Sequence, residues 1–186
     1  MVPIPQLWLP ILVSTVIVFV ASSIVWMVLP HHKSDARRLP DEAAAADVLG
    51  KQGLKPGLYR FPWANSMAEM KDPAFVDKIN KGPVGMLTIV PSGPFKLGRS
   101  LGLWAVYVVF IGIFVAYLTG RVLAPGAHYL QVFRVAGVVA FLAYGGARIP
   151  DSIWWGRPLS VTLKETLDGL LYGLLTAGTF GWLWPR

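Results

Sequence analysis

The stretch Asp168–Arg186 reads DGLLYGLLTAGTFGWLWPR, with Gly169, Gly173, Ala177 and Gly181 at every fourth position. In a water-soluble helix each such glycine costs about 1 kcal/mol relative to alanine. Within a bilayer the same residues have a use. Lipid tails supply no hydrophobic drive between helices, so association rests on close packing. Small residues at four-residue spacing let backbones approach. The four positions make one smooth stripe on a helix. Gly112, Ala116 and Gly120 make a shorter one, and Ala136, Ala140, Ala143 and Ala147 do similar service. Such stripes have two uses, packing inside a helix bundle or docking onto another subunit, and periodicity alone leaves both open.

Composition points the same way. Of the 186 residues, 54% are hydrophobic and 15% are charged, against about 25% charged in soluble domains. Cysteine is absent, which removes disulfides, thiolate nucleophiles and zinc–cysteine sites. The formal charge of +7 is read as the basic excess of cytoplasmic loops and not as a nucleic-acid surface.

A bilayer core about 30 Å thick needs ~20 helical residues. Leu7–Leu29 holds 23 residues without a charge. It is read as a span and not a secretory signal, because no positive charge precedes it and its apolar run is too long. Ser100–Thr119 is a second run, and Tyr129–Ala147 a third, interrupted by Gln131 and Arg134. The fourth is expected over residues 163–184. There TLKE has the form of a capping box, with Thr162 as cap and Glu165 answering it. The expected fold is therefore an all-α membrane bundle of four transmembrane helices. Residues 1–29 and 100–186 form the bundle, with an interfacial segment at 148–162.

Basic residues orient it. His31–Arg99 holds 11 Lys or Arg and Arg148–Lys164 three, so 14 of the 17 fall on one face. That face is expected to be cytoplasmic, with both termini outside. Tryptophan agrees. Trp8, Trp182 and Trp184 fall at the outer interface, and Trp26, Trp104, Trp154 and Trp155 at the inner one, as amphipathic indoles do.

Residues 30–99 are too long for a plain loop and read as a small cytoplasmic α+β insertion. Asp41 and Asp72 look like helix caps, Pro73 a first helical residue, and Gly50 and Gly82 helix stops. GLYRFPW (Gly57–Trp63) and VGMLTIV (Val84–Val90) look like short strands. So few large apolar side chains make a weak core, so packing on the bundle, lipid or a partner is expected. Its basic balance suits anionic headgroups.

Few residues suggest chemistry. HHKSD (His31–Asp35) approaches two acyltransferase patterns and matches neither. One needs three residues between the second histidine and the aspartate where there are two. The other needs four between histidine and aspartate, and from His31 there are three. As metal ligands His31, His32 and Asp35 are weak candidates, because neighbouring helical residues point apart. The reading is a polar flank with no metal. No phosphate loop, dinucleotide fingerprint or HExxH is present, so no cofactor is expected. Arg134 is the one strong charge well inside a span, where charges face protein, water or headgroups. Asp168 is expected to pair with Lys164, Arg148 or Arg157, and His128 suggests little.

DSIWWGRP (Asp151–Pro158), TAGTFGWLWP (Thr176–Pro185) and KGPVGMLTIVPSGP (Lys81–Pro94) resemble a family of small uncharacterised bacterial inner-membrane proteins. The resemblance implies a bacterial origin and four spans. It brings no activity, so no residue role is carried over. Three functions are weighed. An accessory or scaffolding subunit of a larger membrane complex fits the stripes and the scarcity of polar groups. Its contacts with other membrane subunits or phospholipid would be Arg134, Gly169, Gly173, Ala177, Gly181 and Asp168. A small homo-oligomeric transporter or channel is the alternative, disfavoured because spans one, two and four carry no mid-depth charge and no central proline. A lipid-acting enzyme would have only His31, His32 and Asp35 to work with.

Overall fold

The computed structural model describes all 186 residues. Seven helices and two strands follow in order: α1 Trp8–Ser23, α2 Glu42–Lys51, β1 Gly57–Phe61, α3 Pro73–Lys81, β2 Gly85–Ile89, α4 Leu97–Val122, α5 Tyr129–Tyr144, α6 Ile149–Trp154 and α7 Leu159–Trp182. The chain divides into two units, one of Met1–Asp35 with Lys96–Arg186, the other Ala36–Phe95.

Three helical segments of the first unit are long and apolar enough to cross a membrane: Ile4–Val28, Leu97–Val122 and Tyr129–Trp154. The first extends α1 by a 3-10 turn before it and a π turn, Ile24–Val28, after it. The third carries α5 through a 3-10 turn into α6. The helix α7 has 24 residues, but Lys164, Glu165 and Asp168 lie in its first half, and it is not among the three. It is instead a heavily buried helix, with Glu165 and Asp168 among its buried residues, and it packs on α5 and α1.

The expected cap at Thr162 is not formed. The helix α7 starts earlier, at Leu159, because the Pro158 carbonyl accepts from the Val161 and Thr162 amides at 3.0 and 3.2 Å. The capping box lies elsewhere. The His128 side chain accepts from the Leu130 amide, and Gln131 answers to the His128 amide. His128 and Gln131 thus serve to open α5.

Both chain termini lie at one end of the bundle. The Val2 amide donates to the Gly120 carbonyl, and the Gly126 amide to the Pro185 carbonyl, both at 2.8 Å. Trp184 Nε1 donates to the Ala124 carbonyl at 3.0 Å. The start of α1, the end of α4, the start of α5 and the end of α7 therefore meet there.

The glycine stripe is filled from within. A methyl group added at Gly169 would land on the Gly145 backbone, one at Gly173 would lie 3.1 Å from Phe141 N, and one at Gly181 2.7 Å from the Tyr129 ring. A methyl at Gly137 would lie 3.1 Å from the Ala177 Cβ. The α7 stripe thus runs antiparallel to α5, with residues 169, 173, 177 and 181 against 145, 141, 137 and 129. On α4, Gly112 faces Ile11 and Gly120 faces the Val2 backbone. Two hydroxyls buried in this apolar bundle bond back to their own helix. Thr176 Oγ1 donates to the Tyr172 carbonyl and Thr179 Oγ1 to that of Leu175, each at 2.8 Å, which removes the cost of a bare hydroxyl.

In the second unit β1 and β2 pair antiparallel, Gly57 opposite Ile89 and Phe61 opposite Gly85. Asp41 caps α2 and Asp72 caps α3, which ends at Gly82 with φ 62°. Phe75 is the one buried residue of Ala36–Phe95. Trp63 is 65% exposed and Phe95 78%.

Candidate functional site

At the end of α1 the backbone widens into the π turn. It then extends at Leu29 (ψ 142°) and restarts at Pro30 as a 3-10 turn over Pro30–Ser34. Such π turns recur at functional sites. This one sets Trp26 flat on the His32 ring, with centroids 3.8 Å apart and planes 8° from parallel. The turn presents His31, His32 and Asp35 toward α7, whose Lys164 and Asp168 share a face one turn apart.

The two segments close on each other. His32 Nδ1 lies 2.5 Å from Asp35 Oδ2, and His32 Nε2 2.7 Å from Asp168 Oδ2. His31 Nε2 lies 3.3 Å from Asp168 Oδ1. Lys164 Nζ donates to the His31 carbonyl at 2.5 Å, to Asp35 Oδ1 at 2.7 Å and to Ser34 Oγ at 2.8 Å, using all three of its donors. The hydrogen bond from Lys164, and then that from His32, hold the Asp35 carboxyl below its ordinary value. The His32 side chain is 6% exposed and that of His31 35%, so the centre is closed at His32 and open at His31.

His32 stands between two carboxylates. An ionised carboxylate only accepts, and a neutral imidazole carries a single N–H. Both contacts hold together when both ring nitrogens carry a hydrogen, or when a cation takes the place of one. Beside this centre lies a second charged group. Arg157 Nη2 donates to Glu165 Oε1, and its Nη1 lies 3.4 Å from Asp151. Arg148 Nε lies 3.9 Å from Glu165. Ser152 Oγ donates to Thr162 Oγ1 at 2.7 Å, which ties α6 to α7.

Several sequence expectations change here. Asp168 pairs with the two histidines and not with Lys164, Arg148 or Arg157. Lys164 swings off its own helix to Asp35, and the arginines are taken by Glu165 and Asp151. HHKSD is no loose polar flank, and its adjacent histidines do not diverge. Their ring centroids lie 4.1 Å apart, because both lean onto one carboxylate with two oxygens. Glu165 is an ion-pair partner and not a capping residue. Gly169, Gly173, Ala177 and Gly181, expected as partner or lipid contacts, are packed on α5. Arg134 is exposed on α5 and has no ion pair within the chain. What sequence reading missed was the meeting of residues 31–35 with 164–168. Their shared signal was charge and imidazole at the ends of two apolar runs.

No protein-family model, curated protein or solved structure matches the chain.

Proposed function

We propose that the chain is a four-span protein of a bacterial inner membrane, with both termini outside, and that it serves as an accessory subunit of a larger membrane assembly. The four-span reading is supported by the shared end of the two termini, which an even number of crossings requires. In this reading α7 is the fourth span. Its charged first turns stand at the cytoplasmic interface, where their charges are paired inside the chain. The excess of basic residues in residues 31–99 and 148–164 supports the orientation.

One observation carries the subunit reading. The unit Ala36–Phe95 has paired strands and capped helices, yet buries a single residue, Phe75, while Trp63, Met67 and Phe95 are exposed. A folded element with so little core draws its stability from a covering surface. A photocrosslinking residue at Trp63 or Phe95, in cells, is expected to trap one protein in stoichiometric amount. The same residue at Gly126 is expected not to. A parent protein that migrates as a monomer or homodimer in native nanodiscs, with lipid adducts only, would sink the reading. On the lipid side, the exposure of Arg134 supports it as the contact for a phospholipid headgroup.

The His31–His32–Asp168 centre favours a second reading, an enzyme acting at the lipid interface. Loss of a cellular phenotype in His31→Gln, with membrane abundance and companion protein unchanged, would decide for it.

A further inference from the structure

The centre at the α1–α7 junction has the donor set of a metal site. One ring nitrogen each of His31 and His32 and a carboxylate oxygen of Asp168 all lie within 4.8 Å of one another. We propose that His31, His32 and Asp168 bind one divalent first-row transition-metal ion, with Asp35 and Lys164 as the outer partners that hold His32 in place. This goes beyond the subunit reading and does not depend on it.

Three features support the assignment. The first is donor chemistry. Two imidazole nitrogens and one carboxylate suit zinc, iron, cobalt or nickel and leave coordination positions open, whereas calcium and magnesium prefer all-oxygen sets. The second is spacing. With metal–ligand bonds of about 2.1 Å, two ligands at a tetrahedral angle stand roughly 3.4 Å apart. His31 Nε2 and Asp168 Oδ1 are at 3.3 Å. His32 Nε2 and Asp168 Oδ2, at 2.7 Å, would separate by about 0.7 Å to reach that spacing.

The third is the outer shell. A ligating histidine usually gives its other ring N–H to a carboxylate, which fixes the tautomer and the ring. His32 Nδ1 meets Asp35 at 2.5 Å, Asp35 is held in turn by Lys164 at 2.7 Å, and Trp26 fixes the ring plane. In a neutral His32 that gives Nδ1–H to Asp35, the Nε2 lone pair would face the Asp168 oxygen. A cation between the two resolves that opposition.

The test uses the full chain, purified in mild detergent, stripped with a chelator and titrated with Co²⁺ and Zn²⁺. Elemental analysis and the visible absorption of Co²⁺ report binding. The expected result is one ion per chain, with no comparable uptake of Mg²⁺ or Ca²⁺. Asp168→Asn and His32→Gln are expected to abolish uptake. Asp35→Asn is expected to weaken it by on the order of 10–100-fold, as loss of an outer partner does. His128→Gln should bind as the parent does. His31 is the most exposed of the three ligands, so His31→Gln is the variant that keeps the test decisive if the others fail to fold. It is expected to melt with the metal-free parent and to lose Co²⁺ absorption. Absence of uptake by the parent would overturn the proposal, and so would equal uptake by folded His31→Gln.

Discussion

The two halves of α7 are held by different means. From Leu159 to Asp168 the helix is fastened by charge. Lys164 reaches Asp35, Glu165 takes Arg157, and Asp168 takes His31 and His32. From Gly169 onward it is fastened by shape, with small residues against Gly145, Phe141, Gly137 and Tyr129. Packing of this second kind is a sum of many small attractions, so it degrades by degrees. The first kind concentrates its stability in a few groups. Loss of one member leaves another charge buried without a partner.

That contrast can be broken most directly at Asp168. Asp168→Ala removes the oxygens that both His31 and His32 meet, and is expected to cost about 1–3 kcal/mol, the penalty for leaving a buried polar group without its partner. Thermal unfolding in detergent reads it, and an unchanged melting temperature would place the stability of α7 wholly in its packed half. The packed half is tested by Gly173→Leu, which drives a side chain into the Phe141 backbone. Overpacking of this kind costs about 1–3 kcal/mol. Its companion is Gly178→Leu, where a Cβ meets only the Tyr129 hydroxyl at 3.6 Å, and the melting temperature should stay close to the parent's. Equal losses at 173 and 178 would show that the stripe has no special fit. The smallest effect is expected in the other unit. Lys51 Nζ meets Asp47 at 2.6 Å, but the two side chains are 74% and 62% exposed. Lys51→Ala should therefore change stability by no more than about 0.5 kcal/mol. A larger loss would mean that a covering surface makes this pair a buried one.

What was legible in the sequence follows the same division. Apolar run length located Ile4–Val28 and Leu97–Val122 to within a few residues, and the start of Tyr129–Trp154, whose end lies seven residues beyond the expected Ala147. Span length is a property of one segment and needs no knowledge of its neighbours. The caps at Asp41 and Asp72 and the stop at Gly82 were readable for the same reason. The stripe on α7 was visible as a period, though not what it packed on. The charged centre could not be seen. Whether Asp168 meets Lys164 four residues away or His32 far along the chain is decided by how α1 and α7 are set side by side. Local spacing favours the near partner, and the bundle supplies the far one. Thr162 misled for a related reason. Its hydroxyl suits a helix cap, but Pro158 begins the helix a turn sooner and Ser152 claims the hydroxyl.

His31 and Asp168 are separated by 137 positions, and this bears on how the molecule is made. Translation delivers the two imidazoles and Asp35 early, and Lys164 and Asp168 only with the final helix. Until then His32 has only Asp35 to meet and His31 has no carboxylate. Gly137, Phe141 and Gly145 likewise have no stripe to fill them. The junction therefore closes only once the final helix has packed in place, and the closed contact distinguishes a finished molecule from an incomplete one.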